Sequence, residues 1–307
     1  MSMKLSVVMT TYNGEKDVLE QLESLKKQIL QPDEVLIADD QSTDRTVEIV
    51  NQYIEDNDLV NWHIKVNDEN LGWKRNFIEA TDESSGDLIF FCDQDDIWME
   101  HKLNVMFDIM NQNDQIDVLA GRYVKFIDTL PEKSELKIEN EGIHKIEVDN
   151  HLITNELPGC VYCVRRTFWN SVSKHWNGTL AHDRLCWAPA RQLGSLYILE
   201  MPVIYWRRHE KSATTISHKS MKKNEYRCKA IEEERRDLDC LEEIMDDLGA
   251  EESFYDRIKR YRKFYDIRIE MLRQHNPLKA FQLFRYMDCY DRKKQLLLEV
   301  YLSMRRN

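Results

Sequence analysis

The stretch "LIFFCDQDDIW" at positions 88–98 places the carboxylates of Asp93, Asp95 and Asp96 directly behind a run of five apolar residues. A short, unbroken apolar run of this kind predicts a strand that is buried on both faces of a sheet. Like charges at such close range raise one another's pKa unless a cation neutralises them. Carboxylates with few His or Cys neighbours suit Mg²⁺ or Mn²⁺. The stretch therefore predicts a divalent-metal site, and the alternative is a solvated loop whose acids favour the positive end of a helix from Ile97 onward.

The sequence before this stretch alternates short apolar runs with amphipathic patterns. Predicted strands occupy 4–9, 34–38, 62–66 and 87–92, and predicted helices occupy 15–29, 43–55 and 73–83, with Ser42 or Thr43 as candidate N-cap of the second helix. This order predicts an α/β fold with a mostly parallel sheet flanked by helices. Ligands of such sheets bind at the carboxyl ends of the strands. The polar clusters "TTYNG" (10–14), "DDQSTD" (39–44) and "DQDD" (93–96) should therefore gather along one rim.

Composition and charge limit the partners. The chain has 307 residues and a formal net charge of −12, yet residues 253–307 contain 14 Lys or Arg against 6 Asp or Glu. The acidic remainder is a poor partner for nucleic acid, so no nucleic-acid binding is expected. The basic C-terminal part could contact an anionic membrane surface.

Cysteine usage and hydropathy indicate a cytoplasmic protein. The seven cysteines are scattered and odd in number, which argues against a disulfide framework. Cys160 and Cys163 form a CxxC pair without a matching second pair, so they are interpreted as strand residues and not as a zinc site. No apolar stretch approaches the roughly 20 residues that cross a bilayer. Peripheral association with the inner face of the cell membrane is the alternative location.

The pattern after residue 115 predicts two further regions. A strand at 116–127, a charged loop near 130–147, a helix from about Thr167, a helix at 182–193 and strands at 196–199 and 203–206 complete a domain at 1–216, with halves at about 1–115 and 116–216. From 217 to 307 the chain is charged, almost free of Gly and Pro, and patterned as long amphipathic helices. These helices could brace the first domain, form a dimer, contact a membrane or bind a partner enzyme.

Some residues have candidate roles on their own. A buried Asp39 or Asp40 could accept hydrogen bonds from a nucleobase or ribose, and the alternative is helix capping. Tyr12 offers a flat face for a base, although a lone tyrosine after a strand more often packs in the core. Asp183 on its own would be interpreted as a helix N-cap. For His209, a functional role and a surface histidine in a basic segment are equally good interpretations.

Six segments together resemble, in order, the blocks of family 2 glycosyltransferases with the Rossmann-like GT-A fold. They are "LSVVMTTYNGEKDVLEQLESLKKQ" (5–28), "EVLIADDQSTDRTVEIV" (34–50), "NLGWKRNF" (70–77), "SSGDLIFFCDQDDIWMEHKL" (84–103), "HDRLCW" (182–187) and "YWRRHEKSATT" (205–215). The resemblance covers about residues 4–212. The wording "DQDDIW" is most similar to bacterial rhamnosyltransferase-like members. Gln94 between the acids, and Gln41 where the family often has glycine, depart from the commonest pattern.

The resemblance implies a role for each matching residue. Asp183 would be the catalytic base, Asp95 the principal metal ligand with His209 near the metal, and Arg207 and Arg208 diphosphate contacts. The donor nucleotide would be held by residues of the first four blocks: Thr10, Thr11, Tyr12, Asp39, Asp40, Lys74, Arg75, Asn76, Asp93 and Gln94. The donor sugar or the acceptor would be contacted by Asp96, Trp98, Gly159 and His182.

These roles define an expected reaction. The resemblance implies a Mn²⁺- or Mg²⁺-dependent, inverting hexosyltransferase that moves rhamnose or another hexose from a UDP or dTDP donor. The acceptor would be a hydroxyl of a growing bacterial cell-surface polysaccharide or of a lipid-linked glycan. Two alternatives stay open: a sugar nucleotidyltransferase, which would want a Gly-rich phosphate loop and a lysine after the first strand, and a nucleotide-sugar-binding scaffold without turnover.

Overall fold

The computed structural model describes residues 3–127, 129–131, 142–148, 152–208 and 224–305. The strands are β1 (Leu5–Thr11), β2 (Glu34–Asp39), β3 (Trp62–Val66), β4 (Leu88–Cys92), β5 (Ile97–Trp98), β6 (Val118–Phe126), β7 (Ile143–Lys145), β8 (Tyr162–Arg165) and β9 (Leu196–Arg207). The helices are α1 (Val18–Lys26), α2 (Thr46–Asp56), α3 (Trp73–Glu83), α4 (Lys102–Gln112), α5 (Arg166–Ser173), α6 (His182–Leu193), α7 (Asn224–Leu248), α8 (Glu252–Arg273), α9 (Ala280–Leu283) and α10 (Lys294–Met304). Short 3₁₀ turns lie at Gly159–Val161, Pro277–Lys279 and Phe284–Cys289.

The described strands form one mixed sheet in the order β3-β2-β1-β4-β8-β6-β9-β5, with β7 paired to β9. Strands β1 to β4 are mutually parallel, whereas β8 runs antiparallel to both of its neighbours, β4 and β6. Every residue of β1 and of β4 is buried, as expected for strands covered on both faces. Thr11 lies opposite Asp39, and Met9 lies opposite Cys92. The predicted α/β fold is confirmed, and the ends of β1, β2 and β4 meet at one edge.

Two local predictions on this edge are wrong. The second helix begins at Thr46 and not at Thr43, so neither Ser42 nor Thr43 is its N-cap. Ser42 instead donates from its backbone N–H and from its hydroxyl to the carboxylate of Asp39, which ties down the loop before the helix. No helix starts at Ile97, because Ile97 and Trp98 pair with β9 as strand β5 and the next helix begins at Lys102. Asp96 therefore does not cap a helix from Ile97.

The two predicted strands at 196–199 and 203–206 are one strand, β9, of 12 residues. It pairs in parallel with β6, and the register shifts around Arg122, which lies opposite Pro202. A proline lacks the N–H that a regular ladder needs, so it lies at such an irregularity. Gly121 permits the close approach there, since a Cβ on it would lie 2.5 Å from a methyl carbon of Val203.

The chain divides into two compact units. The first comprises Met1–Glu147, Asn155–Lys174 and Ala181–Arg208, and the second comprises Val148–Thr154, His175–Leu180 and His209–Asn307. The predicted division at 216/217 falls outside the described residues and stays a prediction. In the described part of the chain, no helix has both the length and the apolar character that crossing a membrane requires.

The second unit contains α7 to α10 and a buried charge cluster. Glu299 on α10 is 0% exposed and accepts hydrogen bonds from the guanidinium groups of Arg227 on α7 and Arg268 on α8 and from the hydroxyl of Tyr290. Burial opposes the charged form of Glu299, but the two arginines outweigh it and hold its pKa below the ordinary value. The helical pattern of this region is confirmed.

Candidate functional site

The end of β2 supplies two adjacent carboxylates that serve different loops. Asp39 is fully buried and accepts hydrogen bonds from the Thr11 hydroxyl at 2.7 Å and from the Ser42 backbone N–H at 2.8 Å. Asp40 accepts from the backbone N–H groups of Leu71 at 2.7 Å and Gly72 at 2.9 Å, directly before α3. Both carboxylates therefore shape the rim by holding backbone.

Gln94 connects the end of β1 to the acidic stretch. Its side-chain oxygen accepts from the Tyr12 backbone N–H at 2.8 Å, and its side-chain nitrogen donates to the Tyr12 carbonyl at 3.1 Å. A Cβ on Gly14 would lie 2.4 Å from the same Gln94 oxygen, so only glycine leaves room for this contact. The Tyr12 side chain itself is 50% exposed at the rim. The structure thus brings the first and fourth sequence blocks together.

Asp93, Asp96 and Cys160 form a group that could hold a metal ion. One potential ligand atom from each of the three lies within 4.8 Å of the other two. Asp96 is fully buried, and its Oδ2 meets no nitrogen or oxygen donor within the described ranges, as expected of an atom that awaits a cation. Asp95, predicted as the principal ligand, is not in this group, and its role stays a prediction. Cys160 comes from the CxxC pair interpreted as strand residues and lies in the 3₁₀ turn before β8.

Burial and neighbouring negative charge raise the pKa values of all three side chains. Burial, and then the charge of Asp95, raise the pKa of Asp93 to about 7. Burial and the charges of Asp93 and Asp95 raise the pKa of Asp96 well above its ordinary value. Burial likewise raises the pKa of the Cys160 thiol. The two carboxylates fit a hard divalent cation such as Mg²⁺ or Mn²⁺, which would stabilise their charged forms, whereas a thiol such as Cys160 suits softer metals.

Lys102 is a buried cation that sequence reasoning missed. Its ammonium group donates to the Cys160 carbonyl at 2.6 Å and lies 3.2 Å from the centroid of the Trp98 ring. Burial lowers its pKa to about 8. The only sequence signal was a lysine four residues after the predicted sugar contact Trp98.

Strand β9 brings Arg207 to the acidic stretch. The Arg207 backbone N–H donates to Asp96 Oδ1 at 3.0 Å, and its guanidinium Nε donates to the Asp95 carbonyl at 2.8 Å. The same guanidinium pairs with Asp17 and Glu20 and lies 4.6 Å from the centroid of the Phe126 ring. Arg207 is therefore already engaged with protein groups. Arg208 stacks on Trp206, with 4.6 Å between the guanidinium carbon and the ring centroid.

Helix α6 supplies Asp183 and His182 at its start. Asp183 is in the first turn and accepts hydrogen bonds from the Asn155 side chain at 2.7 Å and from the Arg184 backbone N–H at 2.7 Å. The interpretation of Asp183 as the N-cap is wrong, since Ala181 occupies that position. A Cβ on Gly159, the residue before Cys160, would lie 3.1 Å from Asp183 Cβ, so the predicted base lies beside the group of Asp93, Asp96 and Cys160, and its charge contributes to the raised pKa of Asp93.

His182 is held in an aromatic pocket. Its ring stacks on Phe77, with centroids 3.9 Å apart, and meets the edge of Phe91 at 4.6 Å. Burial lowers its pKa to about 4, so the ring is neutral near pH 7. Neither ring nitrogen has a hydrogen-bond partner in the part of the chain that the structure describes. A Cβ on Gly159 would lie only 2.4 Å from His182 Nε2, so the predicted residues Gly159 and His182 are direct neighbours.

Other predicted site residues lie apart from this group or inside the fold. Arg75 pairs with Glu79 and Glu69 near the surface, and Lys74 lies 5.7 Å from the centroid of the Trp73 ring. Buried Asn76 donates to the Ala38 carbonyl and accepts from Asn67. Thr10 is buried at the end of β1, and Trp98 is 2% exposed beneath Lys102. His209 lies outside the described residues.

The chain belongs to glycosyl transferase family 2. The model of that family, Glycosyl transferase family 2, matches residues 6–174, more than half of the 307 residues. The match includes β1 to β4 and the acidic stretch, so the resemblance inferred from the sequence blocks is confirmed.

Two relatives show the breadth of the family. The dTDP-rhamnosyl transferase RfbG of Shigella flexneri is 28% identical over 214 residues, which cover 66% of this chain and 72% of RfbG. The poly(ribitol-phosphate) beta-N-acetylglucosaminyltransferase TarS of Staphylococcus aureus is 38% identical over 96 residues, which cover 31% of this chain. That match spans only 16% of the length of TarS.

Solved structures share the fold. A crystal structure of S. aureus TarS 1-349 in complex with UDP superposes with a TM-score of 0.60 at 20% identity, covering 98% of this chain and 88% of that one. The mannosyltransferase PcManGT from Pyrobaculum calidifontis, in complex with GDP-Man and Mn²⁺, superposes with a TM-score of 0.57 at 12% identity, covering 98% and 85%. The predicted GT-A fold is confirmed.

Proposed function

We propose that this protein is an inverting, metal-dependent glycosyltransferase. It moves rhamnose or another hexose from a UDP or dTDP donor to a hydroxyl of a growing bacterial cell-surface polysaccharide or lipid-linked glycan. The observation that carries the proposal is the proximity of Asp183 to the Asp93, Asp96 and Cys160 group at the carboxyl end of β4, within a family 2 chain. The name of RfbG refers to rhamnose and that of TarS to N-acetylglucosamine, so these two relatives do not point to one donor sugar.

The proposed chemistry divides between two sides of the site. Asp183 takes the proton of the acceptor hydroxyl, and the Asn155 side chain keeps its carboxylate oriented. Asp93, Asp95 and Asp96 are the residues that would hold Mn²⁺ or Mg²⁺, with His209 as a further candidate. A bound cation would supply positive charge that stabilises the leaving diphosphate. Arg207 and Arg208 add fixed positive charge near the acidic stretch.

The donor contacts follow the geometry of the rim. The exposed Tyr12 ring stacks on the nucleobase. The shape of the rim is maintained by five buried polar residues, which are Thr10, Thr11, Asp39, Asp40 and Asn76. Gln94 fixes the backbone of Tyr12 against the acidic stretch, and Lys74 and Arg75 lie at the start of α3 beside the loop that Asp40 holds. His182 offers its unpartnered ring nitrogens to a sugar hydroxyl. Trp98 and Gly159 line the inner side of the proposed sugar site.

Product analysis tests the reaction. The protein is incubated with UDP- and dTDP-linked sugars, a glycan acceptor and Mn²⁺, and in a parallel reaction with a nucleoside triphosphate and a sugar phosphate, and the released products are identified. Release of a nucleoside diphosphate is expected. Formation of pyrophosphate from a nucleoside triphosphate and a sugar phosphate would instead establish a nucleotidyltransferase. Binding of nucleotide sugar without any product would leave only a scaffold.

Asp183→Asn tests the proposed base. We expect kcat to fall by roughly 10²–10⁴-fold, because the amide accepts no proton, while nucleotide binding measured by thermal shift is unchanged. The matched control is Asp58→Asn, an exposed residue with φ of 51°, a conformation that asparagine tolerates. An unchanged rate in Asp183→Asn sinks the assignment.

The partners and location follow from this proposal. The partners are the nucleoside diphosphate sugar and a glycan or lipid-linked acceptor, and the location is the cytoplasm with peripheral contact at the inner face of the cell membrane. The helices of the second unit provide either that contact or a homodimer. The basic character of residues 253–307 supports a contact with an anionic surface.

A further inference from the structure

Helix α10 carries apolar residues on two opposite faces. Leu296 and Leu302 are buried and face the interior of the second unit. Leu297, Tyr301 and Met304 recur at the spacing of one helical face and are 73%, 50% and 62% exposed. One apolar face is enough to anchor a surface helix, so the second face is not needed for packing.

A second exposed apolar row lies on the segment before α10. Leu278, Phe281 and Phe284, three residues apart, are 68%, 72% and 61% exposed. The rings of Phe281 and Phe284 lie 6.3 Å apart. Residues i and i+3 lie above one another in 3₁₀ geometry and close together in α geometry, so these side chains share one side of the segment. Large exposed apolar rows on neighbouring elements mark an interaction surface.

Positive charge surrounds these rows. Arg285, Arg292, Lys293, Lys294 and Arg305 are all exposed, and within the described ranges none of them forms an ion pair. Lys293, Lys294 and Arg305 flank the exposed face of α10 by the helical rotation, and the Arg305 guanidinium stacks on Tyr301 at 4.7 Å from the ring centroid.

The acidic residues of this segment offset only part of that charge. Asp288 pairs with Arg260, whose own positive charge balances it. Glu299 is buried between Arg227 and Arg268, on the side of α10 away from the exposed face. Asp291 accepts a hydrogen bond from the neutral Thr154 hydroxyl and keeps its charge, so it offsets one of the five exposed cations. The exposed surface is therefore apolar and basic in a chain whose net charge is −12.

We infer that this surface, formed by residues 278–305, docks on an anionic lipid bilayer, with the two apolar rows entering the headgroup region and the flanking Lys and Arg contacting lipid phosphates. Apolar anchors flanked by Lys and Arg are the pattern of helices that lie in a bilayer interface. A symmetric contact with a second copy is disfavoured because it would bring two identical basic faces together. The inference deepens the proposed function and rests on it only for the purpose of docking, which is to bring the enzyme to a membrane that holds a lipid-linked acceptor.

Vesicle co-sedimentation of the full chain tests the inference without donor or acceptor. The wild-type protein is expected to sediment with vesicles of phosphatidylglycerol and phosphatidylcholine and to stay in solution with phosphatidylcholine alone. Removing three apolar anchors, Leu297→Gln, Tyr301→Gln and Met304→Gln, should weaken binding about tenfold or more. Removing three charges, Arg292→Gln, Lys293→Gln and Lys294→Gln, should weaken it about 100-fold, and added salt should weaken binding of the wild-type protein.

The matched control removes exposed apolar residues elsewhere, Ile29→Gln and Val60→Gln, which are 68% and 88% exposed. This double variant should bind like the wild type, and circular dichroism should show that all variants are folded. Equal binding by the anchor variant and the wild type would overturn the inference, as would no sedimentation of the wild type. So would a wild-type dimer, seen by ultracentrifugation, that dissociates in the anchor variant. Nucleoside diphosphate release, assayed with a water-soluble acceptor, tests the proposed function separately.

Discussion

His182 is a residue whose surroundings decide its chemistry. Sequence blocks predicted it near the sugar, next to Asp183. The structure adds that its ring is enclosed by Phe77 and Phe91 and touches the backbone of Gly159, and that burial lowers its pKa to about 4. A neutral imidazole can both donate and accept a hydrogen bond, which suits a sugar hydroxyl.

Gly159→Ala tests the contact between Gly159 and His182. The new Cβ would lie 2.4 Å from His182 Nε2, so the enclosed ring has to move. We expect a loss of about 1–3 kcal/mol in the free energy of unfolding, together with lower activity because Asp183 shifts with its neighbour. The clash should be relieved in the background of His182→Ala, which gives a coupling of about 1 kcal/mol or more in a double-mutant cycle. Strictly additive effects would contradict this contact.

The depressed pKa of His182 predicts how stability depends on pH. Below its ordinary pKa of 6.5 the unfolded chain binds a proton that the folded ring, with a pKa of about 4, does not bind. The contribution is therefore complete above that value and is lost as the pH falls toward about 4. Between about pH 7.5 and about pH 5, the wild type should lose about 2 kcal/mol more stability than His182→Phe, as measured by urea unfolding. Parallel losses in the two proteins would contradict a neutral buried ring.

At the scale of elements, Asp39 and Asp40 at the end of one strand hold two different loops by hydrogen bonds. Adjacent residues of a strand point to opposite sides, so Asp39 reaches Thr11 and Ser42 while Asp40 reaches the loop before α3. The sequence predicted a polar pair here and left open whether one of them capped a helix. It could not show that both carboxylates hold backbone, because the loop before α3 is about 30 residues further along the chain.

Hydrogen exchange distinguishes the two carboxylates. In Asp40→Asn, the amides of Leu71 and Gly72 should exchange faster, because a charged acceptor is replaced by a weaker one. In Asp39→Asn, the Ser42 amide should exchange faster while Leu71 and Gly72 keep their protection. The two variants serve as controls for each other. The same pattern of exchange in both variants would contradict separate roles.

The observed ends of helices and strands show which of them the apolar periodicity of the sequence predicts. The helices at 73–83 and 182–193 were predicted with the observed ends, because apolar spacing and flanking residues agree there. The short strand β5 was missed, since two residues carry no periodic signal and owe their conformation to pairing with β9. The two predicted strands at 196–199 and 203–206 form the single strand β9 because both parts pair with β6, a contact that the pattern along the chain does not show.

At the scale of the whole molecule, Glu299 links three helices of the second unit. Its carboxylate joins α10 to Arg227 on α7 and Arg268 on α8, without exposure to water. A buried ionic network of this kind is costly to break, because each remaining charge is left without a partner. It fixes the arrangement in which α10 turns Leu297, Tyr301 and Met304 outward.

Glu299→Gln should lower the free energy of unfolding by about 3–5 kcal/mol, because two buried arginines lose their counter-charge. Since the two arginines hold the pKa of Glu299 below its ordinary 4.5, its contribution is present above that pH and is lost as the pH falls through the lower folded value. Urea unfolding near neutral pH and in acid measures both effects. The control Glu225→Gln removes an exposed partner of Lys229 and should change nothing measurable. Equal effects of the two substitutions would contradict a structural role for the buried network.

The sequence by itself determined the α/β fold, the three polar clusters at one rim, the family and the helical C-terminal region. These features depend on local periodicity and on motifs that are continuous along the chain. Only the tertiary structure placed Asp96 with Asp93 and Cys160, set the buried Lys102 beside Cys160, enclosed His182 and exposed the second apolar face of α10. Each of these depends on distant segments that pair or pack together. The stretch at 88–98 thus predicted a metal site from three neighbouring carboxylates, whereas the residues that lie around them were decided by the packing of distant segments.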